Sequence, residues 1–445
     1  MSGRRTSTDR YMLALMVGAL FCYLAPDLGS QTMALDGLAY ANVAKLLVSG
    51  EGSFWALPYF DLSVPVFYDH PPLGIAIMQW WMQLFGLGFW AEKLLAAVTI
   101  LVVIGLLMLL IQVTRSAQVL PVPTWWVVTA FVLMPTSTYV LKNNFLDSLL
   151  LVPTLVGVIC GWLAWKRKAY AILLGISALV AVLIKGPMGL FTIAAVPAGL
   201  WWYHARFVGA LQIGAIASAA FVIGIALIAL TNPASFEFAS HYFEDQVIAS
   251  IVGDRPAEHG RLYLIGQLSL NLLVSGVVLF AAIRTFKAQR LAGFWLTIAL
   301  AAALPLLISA RQYRHYLLPA LPFFALALAS LIPAPAVRPT QWLPAASIAA
   351  CVAALVAMLW WFGSAGGHAE TIGDSDVIAG QLAGKSVGYC RDDRSLLLRA
   401  YLYRRHGVKS SPGGNERWAL CAENPGESKR VDLDLKARHT LWLKQ

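Results

Sequence analysis

The chain has 445 residues, 59% of them hydrophobic and 13% charged, with a mean hydropathy of +0.67. Soluble domains run about 45–50% apolar and about 25% charged, so a water-soluble enzyme is excluded. The formal charge of +10 comes from Lys and Arg placed singly or in short clusters between apolar runs; this reads as membrane topology and excludes a basic nucleic-acid-binding domain.

A polar N-terminus carrying Arg4, Arg5 and Arg10 leads into the apolar run 11–26, and with no small-x-small cleavage site after it the run reads as an uncleaved first span. A loop at about 27–90 follows. Within it, residues 38–49 and, after Pro71-Pro72, residues 73–85 have apolar residues at helical spacing and read as amphipathic helices along the membrane surface. Further runs long enough for a hydrocarbon core of about 30 Å centre on 93–113, 124–141, 147–165, 169–184, 187–203, 208–230, 262–283, 291–309, 315–332 and 342–362. The expectation is an all-α polytopic membrane protein of about eleven spans over residues 1–363. In the tail, 364–445, the segments GKSVGYC, DDRSLLLRAYLYRRHG and RWALCAE read as strand, helix and strand of a small α/β domain, to which DLDLKARHTLWLKQ adds an edge strand.

With the N-terminus in the cytoplasm, Arg115, the Lys166-Arg167-Lys168 cluster, Arg206, the Arg284/Lys287/Arg290 group and Arg338 fall in inner loops, as the positive-inside bias requires. The loop 27–90, the turns at Asn143 and Lys185, the loop 231–261, the turn 311–314 and the tail then share the outer face. Cys22, Cys160 and Cys351 lie in apolar runs and read as packing residues, whereas Cys390 and Cys421 lie in the tail, where an oxidising compartment allows a disulfide.

Asp36, in LDGLAYAN, stands at the entrance to a helix, where an isolated Asp is an ordinary cap. Asp69 and His70 precede two prolines that stiffen the backbone and fix the direction of both side chains. Asp147 opens a span after an Asn-Asn turn, and a carboxylate at the mouth of a bundle needs partners or a polar cavity. Lys185, in LIKGPMGL, and Arg311, Arg314 and His315, in SARQYRHYLLPALP, all break the positive-inside rule. Snorkelling explains one such cation. Several kept together on the outer side need an anion there. The loop after the seventh span adds His241, Glu244, Asp245, Gln246, Arg255, His259 and Arg261.

LDGLAYANVAKLLVSG, FYDHPPLGIAIMQWWMQLFG, NNFLDSLLL, LIKGPMGL and RQYRHYLLPALPFFALAL, in this order, resemble the GT-C membrane glycosyltransferases, in particular the protein O-mannosyltransferase and lipid A aminoarabinose-transferase (ArnT-like) clan, over roughly residues 10–335. The resemblance implies a sugar taken from a polyprenyl phosphate at the outer side of a bacterial cytoplasmic membrane. It implies Asp36 as the catalytic carboxylate, Asp69 in the donor and metal region, and Asp147 as the later acidic residue. Lys185 and Arg314 would lie near the lipid phosphate, with His70, His259, Arg311 and Tyr316 completing the substrate-binding set. It implies no organic cofactor; a divalent metal ion, if one is used, would fall to Asp36 and Asp69. Two departures stand out. Gly37 occupies a position where many relatives have a second acidic residue, and His70 replaces the lysine that ArnT-like members carry before Pro-Pro, which weakens transfer of the aminoarabinose specificity.

The chemistry is consistent with those roles. A polyprenyl phosphate is a good leaving group, so the site needs cations for the developing charge. An acceptor hydroxyl is a poor nucleophile and needs a carboxylate to take its proton, a task that falls to Asp36. One-step displacement inverts the anomeric centre. The expected acceptor is a lipid or envelope glycan of the lipid A or lipopolysaccharide type, with secreted protein as the alternative. A secondary transporter or lipid flippase is the reading of another class; it predicts related halves and broken midplane helices, whereas here the polar residues gather at one face.

Overall fold

The computed structural model describes residues 2–64, 66–117, 122–253, 259–260, 262–283, 289–310, 312–337, 340–382, 386–390, 395–412, 416, 418–421, 428–431, 435 and 441–444. Its helices are α1 (Ser2–Leu28), α2 (Leu35–Val48), α3 (Pro72–Phe85), α4 (Phe89–Val113), α5 (Thr124–Val132), α6 (Pro135–Leu141), α7 (Leu146–Ala164), α8 (Tyr170–Lys185) and α9 (Phe191–His204). After these come α10 (Phe207–Thr231), α11 (Ala234–Tyr242), α12 (Ala249–Val252), α13 (Tyr263–Ile283), α14 (Arg290–Ala303), α15 (Leu321–Leu331), α16 (Leu343–Trp361), α17 (Ala369–Leu382) and α18 (Leu396–His406).

Among the described residues, nine helices are long and apolar enough to cross a membrane, and α5 with α6 makes a tenth span broken by an 87° bend. Pro135 explains the break, since it cannot continue the hydrogen-bond ladder of α5. The count of eleven needs correction at 187–203. Pro187 sits in a tight turn of 3₁₀ type, Gly186–Gly189, and the helix that follows, α9, has only 14 residues, about 21 Å. The core is apolar and continuous from α1 to α15, with Phe131, Trp295 and Phe323 fully buried in it. Cys351, expected to pack, is exposed on α16.

One end of the bundle is tied by charge. Lys142, after α6, pairs with Asp27 of α1 at 2.7 Å. Lys93 of α4 donates to the Asp27 carbonyl at 2.9 Å and to the Thr32 carbonyl. These contacts gather the end of α1 and the starts of α4 and α7 around α2 and α3. Ten of the fourteen residues of α2 are buried, so it is an enclosed helix and not one lying half-exposed along the membrane surface.

What covers α2 is the C-terminal region. Strands β1 (Val387–Tyr389), β2 (Ser410–Pro412), β3 (Trp418–Leu420), β4 (Ser428–Val431) and β5 (Leu441–Lys444) form a sheet in the order β2-β1-β3-β5-β4. The first three are parallel, and β5 runs antiparallel between β3 and β4. The last strand is therefore interior, not the edge strand expected, and β4 and β2 are the edges. Cys390 and Cys421, just beyond the paired strands β1 and β3, form a disulfide with Cα atoms 5.1 Å apart.

Helix α18 crosses over between β1 and β2 and docks on α2 and on the loop before α3. Arg399 pairs with Asp61 at 2.6 Å, and Arg404 makes a two-point bond to Glu92 at 2.9 and 3.0 Å, all four side chains being buried. Asn42 donates to the Ala400 carbonyl at 2.9 Å, and Lys45 donates to the carbonyls of Tyr403 and Arg404. Burial, then Arg404, draws the Lys45 ammonium down to a pKa of about 8 against the opposing pull of Glu92. The loop also joins the sheet: Leu62 N donates to the Ser410 carbonyl at 2.7 Å.

Candidate active site

The tied end of the bundle holds a cavity of about 1410 Å³, walled by α2, the loop before α3, the turn after α8, the segment 242–251, the segment 301–319 and Leu396 of α18. Asp36 lines it from the first turn of α2. The residue at the cap position is Ala34, and α2 has no side-chain cap, so Asp36 is not there to satisfy the helix end. Its carboxylate is 46% exposed and stands 4.0 Å from Nε2 of His315. That imidazole is held between the rings of Phe145 and Tyr313, at 4.8 and 5.4 Å.

The turn 143–144 holds this first turn of α2 in place. Asn143 Oδ1 accepts from Ala34 N at 2.9 Å, and Asn144 Nδ2 donates to the Gly37 carbonyl at 3.3 Å. Asn144 reaches it with φ +56°, a left-handed conformation that Asn tolerates better than most residues. A Cβ at position 37 would stand 1.9 Å from the Asn143 carbonyl oxygen. The second acidic side chain that many of the resembled enzymes carry has no room here, which accounts for the glycine.

Asp69 and His70 enter from the loop side, immediately before Pro71 and the first residue of α3, Pro72. Gln246, from the π-helical turn after α11, donates its amide to Asp69. His70 Nε2 lies 2.8 Å from the hydroxyl of Tyr40. Burial keeps the Tyr40 phenol protonated well above the ordinary tyrosine range, with Asp36 and Asp147 adding to the effect. Burial does the same at Tyr59 and Tyr242, each reinforced by Asp69. Neutral phenols beside carboxylates are hydrogen-bonding groups suited to a polyhydroxy ligand.

Lys185, the last residue of α8, lines the cavity and donates to Asp147 in the first turn of α7, a pair that is almost wholly buried. Asp147 stands behind the lysine and is not on the cavity wall. The backbone then turns at Gly186, with φ +72°, where a Cβ would fall 2.0 Å from the Tyr242 hydroxyl. Only glycine allows both the turn and that approach. The Lys185 ammonium also lies 5.6 Å from the ring centre of Tyr316.

Arg314 is exposed in the cavity, its guanidinium 3.3 Å from the ring centre of Tyr139. Among the described residues it has no carboxylate partner, so the edges of the fork are open to a ligand anion. His259 stacks on Tyr263 at 3.9 Å and lines the same wall. Arg311, Arg255 and Arg261 lie outside the described residues.

Thus Asp36, Asp69, His70, Lys185, His259, Arg314 and Tyr316, spread over some 280 positions (316 minus 36), meet around one cavity. The sequence did not assign roles to Tyr40, Gln246, His315 or Leu396. For His315 and Gln246 a signal existed in the polar density of their segments. Leu396 had none. Among the described residues no group of three or more His, Cys, Asp or Glu side chains is placed to hold a metal ion, and no step below passes through a metal.

The helices define a polytopic membrane protein whose fold is similar to that of ArnT. Two solved structures carry the likeness, both of ArnT from Cupriavidus metallidurans. One, bound to undecaprenyl phosphate, has a TM-score of 0.66 and 16% identity, covering 97% of each chain. The other, in the apo state, has a TM-score of 0.63 and 16% identity, covering 98% of each chain. No family model and no curated protein matches the chain in sequence.

Proposed function

We propose that the protein is an integral membrane glycosyltransferase that moves a sugar from a polyprenyl-phosphate donor to a hydroxyl of a lipid or envelope glycan, with inversion, on the outer side of the bacterial cytoplasmic membrane. The observation that supports it is that two carboxylates, Asp36 and Asp69, and two cations, Arg314 and Lys185, line one cavity, in a fold whose structural neighbour from Cupriavidus metallidurans is bound to undecaprenyl phosphate.

In this reading Arg314 holds the donor phosphate, its plane fixed by Tyr139, and Lys185 adds a second cation. Both interactions strengthen as the C1–O bond breaks and charge grows on the departing phosphate. Asp36 takes the proton of the acceptor hydroxyl as it attacks C1 from the opposite face, and His315 faces the carboxylate that receives it. Asp147 acts through Lys185 as a positioning residue. Asp69, His70, Tyr40 and Gln246 contact the sugar.

The test is direct. Purified, folded protein is incubated with polyprenyl-phosphate-linked hexose, pentose and uronic acid and with an envelope lipid extract. Mass spectrometry should find a lipid one sugar heavier and free polyprenyl phosphate in equal amount. Failure to consume any donor, together with movement of the lipid across vesicles, would favour the flippase.

A further inference from the structure

A second pocket, of about 550 Å³, opens at the other end of the bundle and is lined by Trp165, Lys168, Arg206, Phe207, Val208 and Gly209. Two helix lengths place it. From Asp147 to Ala164 along α7, and from Lys185 back to Tyr170 along α8, the chain rises about 26 and 23 Å. The pocket therefore sits at the membrane boundary opposite the catalytic cavity, where the basic loops lie.

We propose that this pocket binds the phosphate-bearing headgroup of an anionic phospholipid. The charge is one-sided: the segments 164–170 and 203–209 carry Lys166, Arg167, Lys168 and Arg206 and no acidic residue. Neither Lys168 nor Arg206 has a carboxylate partner among the described residues. Lys168 is oriented from two sides, donating to the Gly209 carbonyl at 2.9 Å and lying 5.4 Å from the Trp165 ring centre. That leaves ammonium protons for a ligand, since the group carries three. Trp165 is itself fixed, stacked on His204 at 3.9 Å with the rings 2° from parallel. At the mouth Phe207 and Val208 are more than half exposed, and the equally exposed Trp201 lies 5.4 Å from the Phe207 ring, an aromatic and apolar rim of the kind that sits at headgroup depth. A soluble anion would use the cations alone, whereas a phospholipid uses both cations and rim. Basic pockets between transmembrane helices are known lipid sites in general.

The experiment is native mass spectrometry of the full chain in neutral detergent, titrated with phosphatidylglycerol, with phosphatidylcholine and with inorganic phosphate. Wild type should retain phosphatidylglycerol in preference to phosphatidylcholine. Arg206→Gln, at an exposed side chain, should weaken that binding about fivefold, and Lys168→Gln with Arg206→Gln roughly thirtyfold, with Arg206→Lys close to wild type. Lys166→Ala with Arg167→Ala removes equal charge from the same loop but outside the pocket and should change binding little. If that pair weakens binding as much as the pocket pair, the lipid responds to diffuse charge and the proposal falls. It also falls if Arg206→Gln binds like wild type, or if inorganic phosphate displaces the lipid, which would make the occupant a free anion. None of these readouts involves sugar transfer, so they stand or fall apart from the catalytic reading.

Discussion

Asp36→Asn separates the catalytic role from the structural one because the two predict effects of different size on different measurements. Asp36 lies in the first turn of α2 without capping it, so its structural worth is an interaction with the helix N-terminus, about 0.3–1 kcal/mol. Its side chain is 46% exposed, which lowers even that. Loss of a general base costs about 10²–10⁴ in rate, or about 3–5 kcal/mol at the transition state. The substitution should therefore leave the midpoint of thermal unfolding in detergent within a few degrees of wild type and reduce kcat by at least a hundredfold. Donor binding should change little, because Arg314 and Lys185 remain. The assay is single-turnover transfer from a labelled polyprenyl-phosphate sugar, with donor affinity measured separately. Near-normal turnover by the folded variant would remove Asp36 from the chemistry and the proposed mechanism with it.

The two cations should behave differently. Arg314→Ala removes an exposed guanidinium and should weaken donor binding and kcat/KM roughly 10- to 100-fold at unchanged stability, whereas Lys185→Ala strands a buried carboxylate at Asp147 and should also destabilise by about 3–5 kcal/mol, an effect that Asp147→Asn in the same chain should relieve. Arg404→Met leaves Glu92 buried and unpaired and should cost a similar 3–5 kcal/mol, with the tail becoming sensitive to protease; Glu92→Leu together with Arg404→Leu should recover most of the loss. Denatured, unreduced protein should offer three alkylatable thiols, Cys22, Cys160 and Cys351, and reduction should destabilise the C-terminal sheet by about 3–4 kcal/mol for a bridge spanning 31 residues. Reporter fusions after Lys168 should read as cytoplasmic and fusions at the C-terminus as outer, as the Lys/Arg pattern requires; a cytoplasmic C-terminus would contradict the proposed orientation of the cavity.

The spans were legible because a lipid-crossing helix is a local property: a window of apolar residues of sufficient length specifies it. Each run expected to span does carry helix, and the exception in length, α9, follows the Gly186-Pro187 turn, which takes up part of the apolar run. The charges gathered at the candidate site were legible for a related reason. Charges are costly at a membrane boundary, so Asp36, Asp69, Asp147, Lys185 and Arg314 stood out against an apolar background. What could not be read was which charge meets which. Glu92 and Lys93 open an apolar helix, and their partners are distant in sequence: the side chain of Arg404 and the backbone carbonyls of Asp27 and Thr32. Helix α2 looked amphipathic on spacing alone because nothing local indicates that α18 lies over its other face. The interior place of β5 likewise depends on β4, a four-residue strand too short to show a pattern.

The docking of α18 sets an order in time. Asp61 meets Arg399 across 338 residues of sequence, and Glu92 meets Arg404 across 312. At synthesis rates of about 5–20 residues per second, both carboxylates wait roughly 15 to 70 seconds for their counter-charges. Throughout that interval α2 lacks the cover of α18, and the cavity lacks the wall that Leu396 provides. A nascent chain can thus have all its spans inserted while the pocket is still open on one side. Completion of the pocket belongs to the last stretch of the polypeptide to emerge, and a message cut short before codon 404 yields an inserted protein whose carboxylate at position 92 has nothing to answer it.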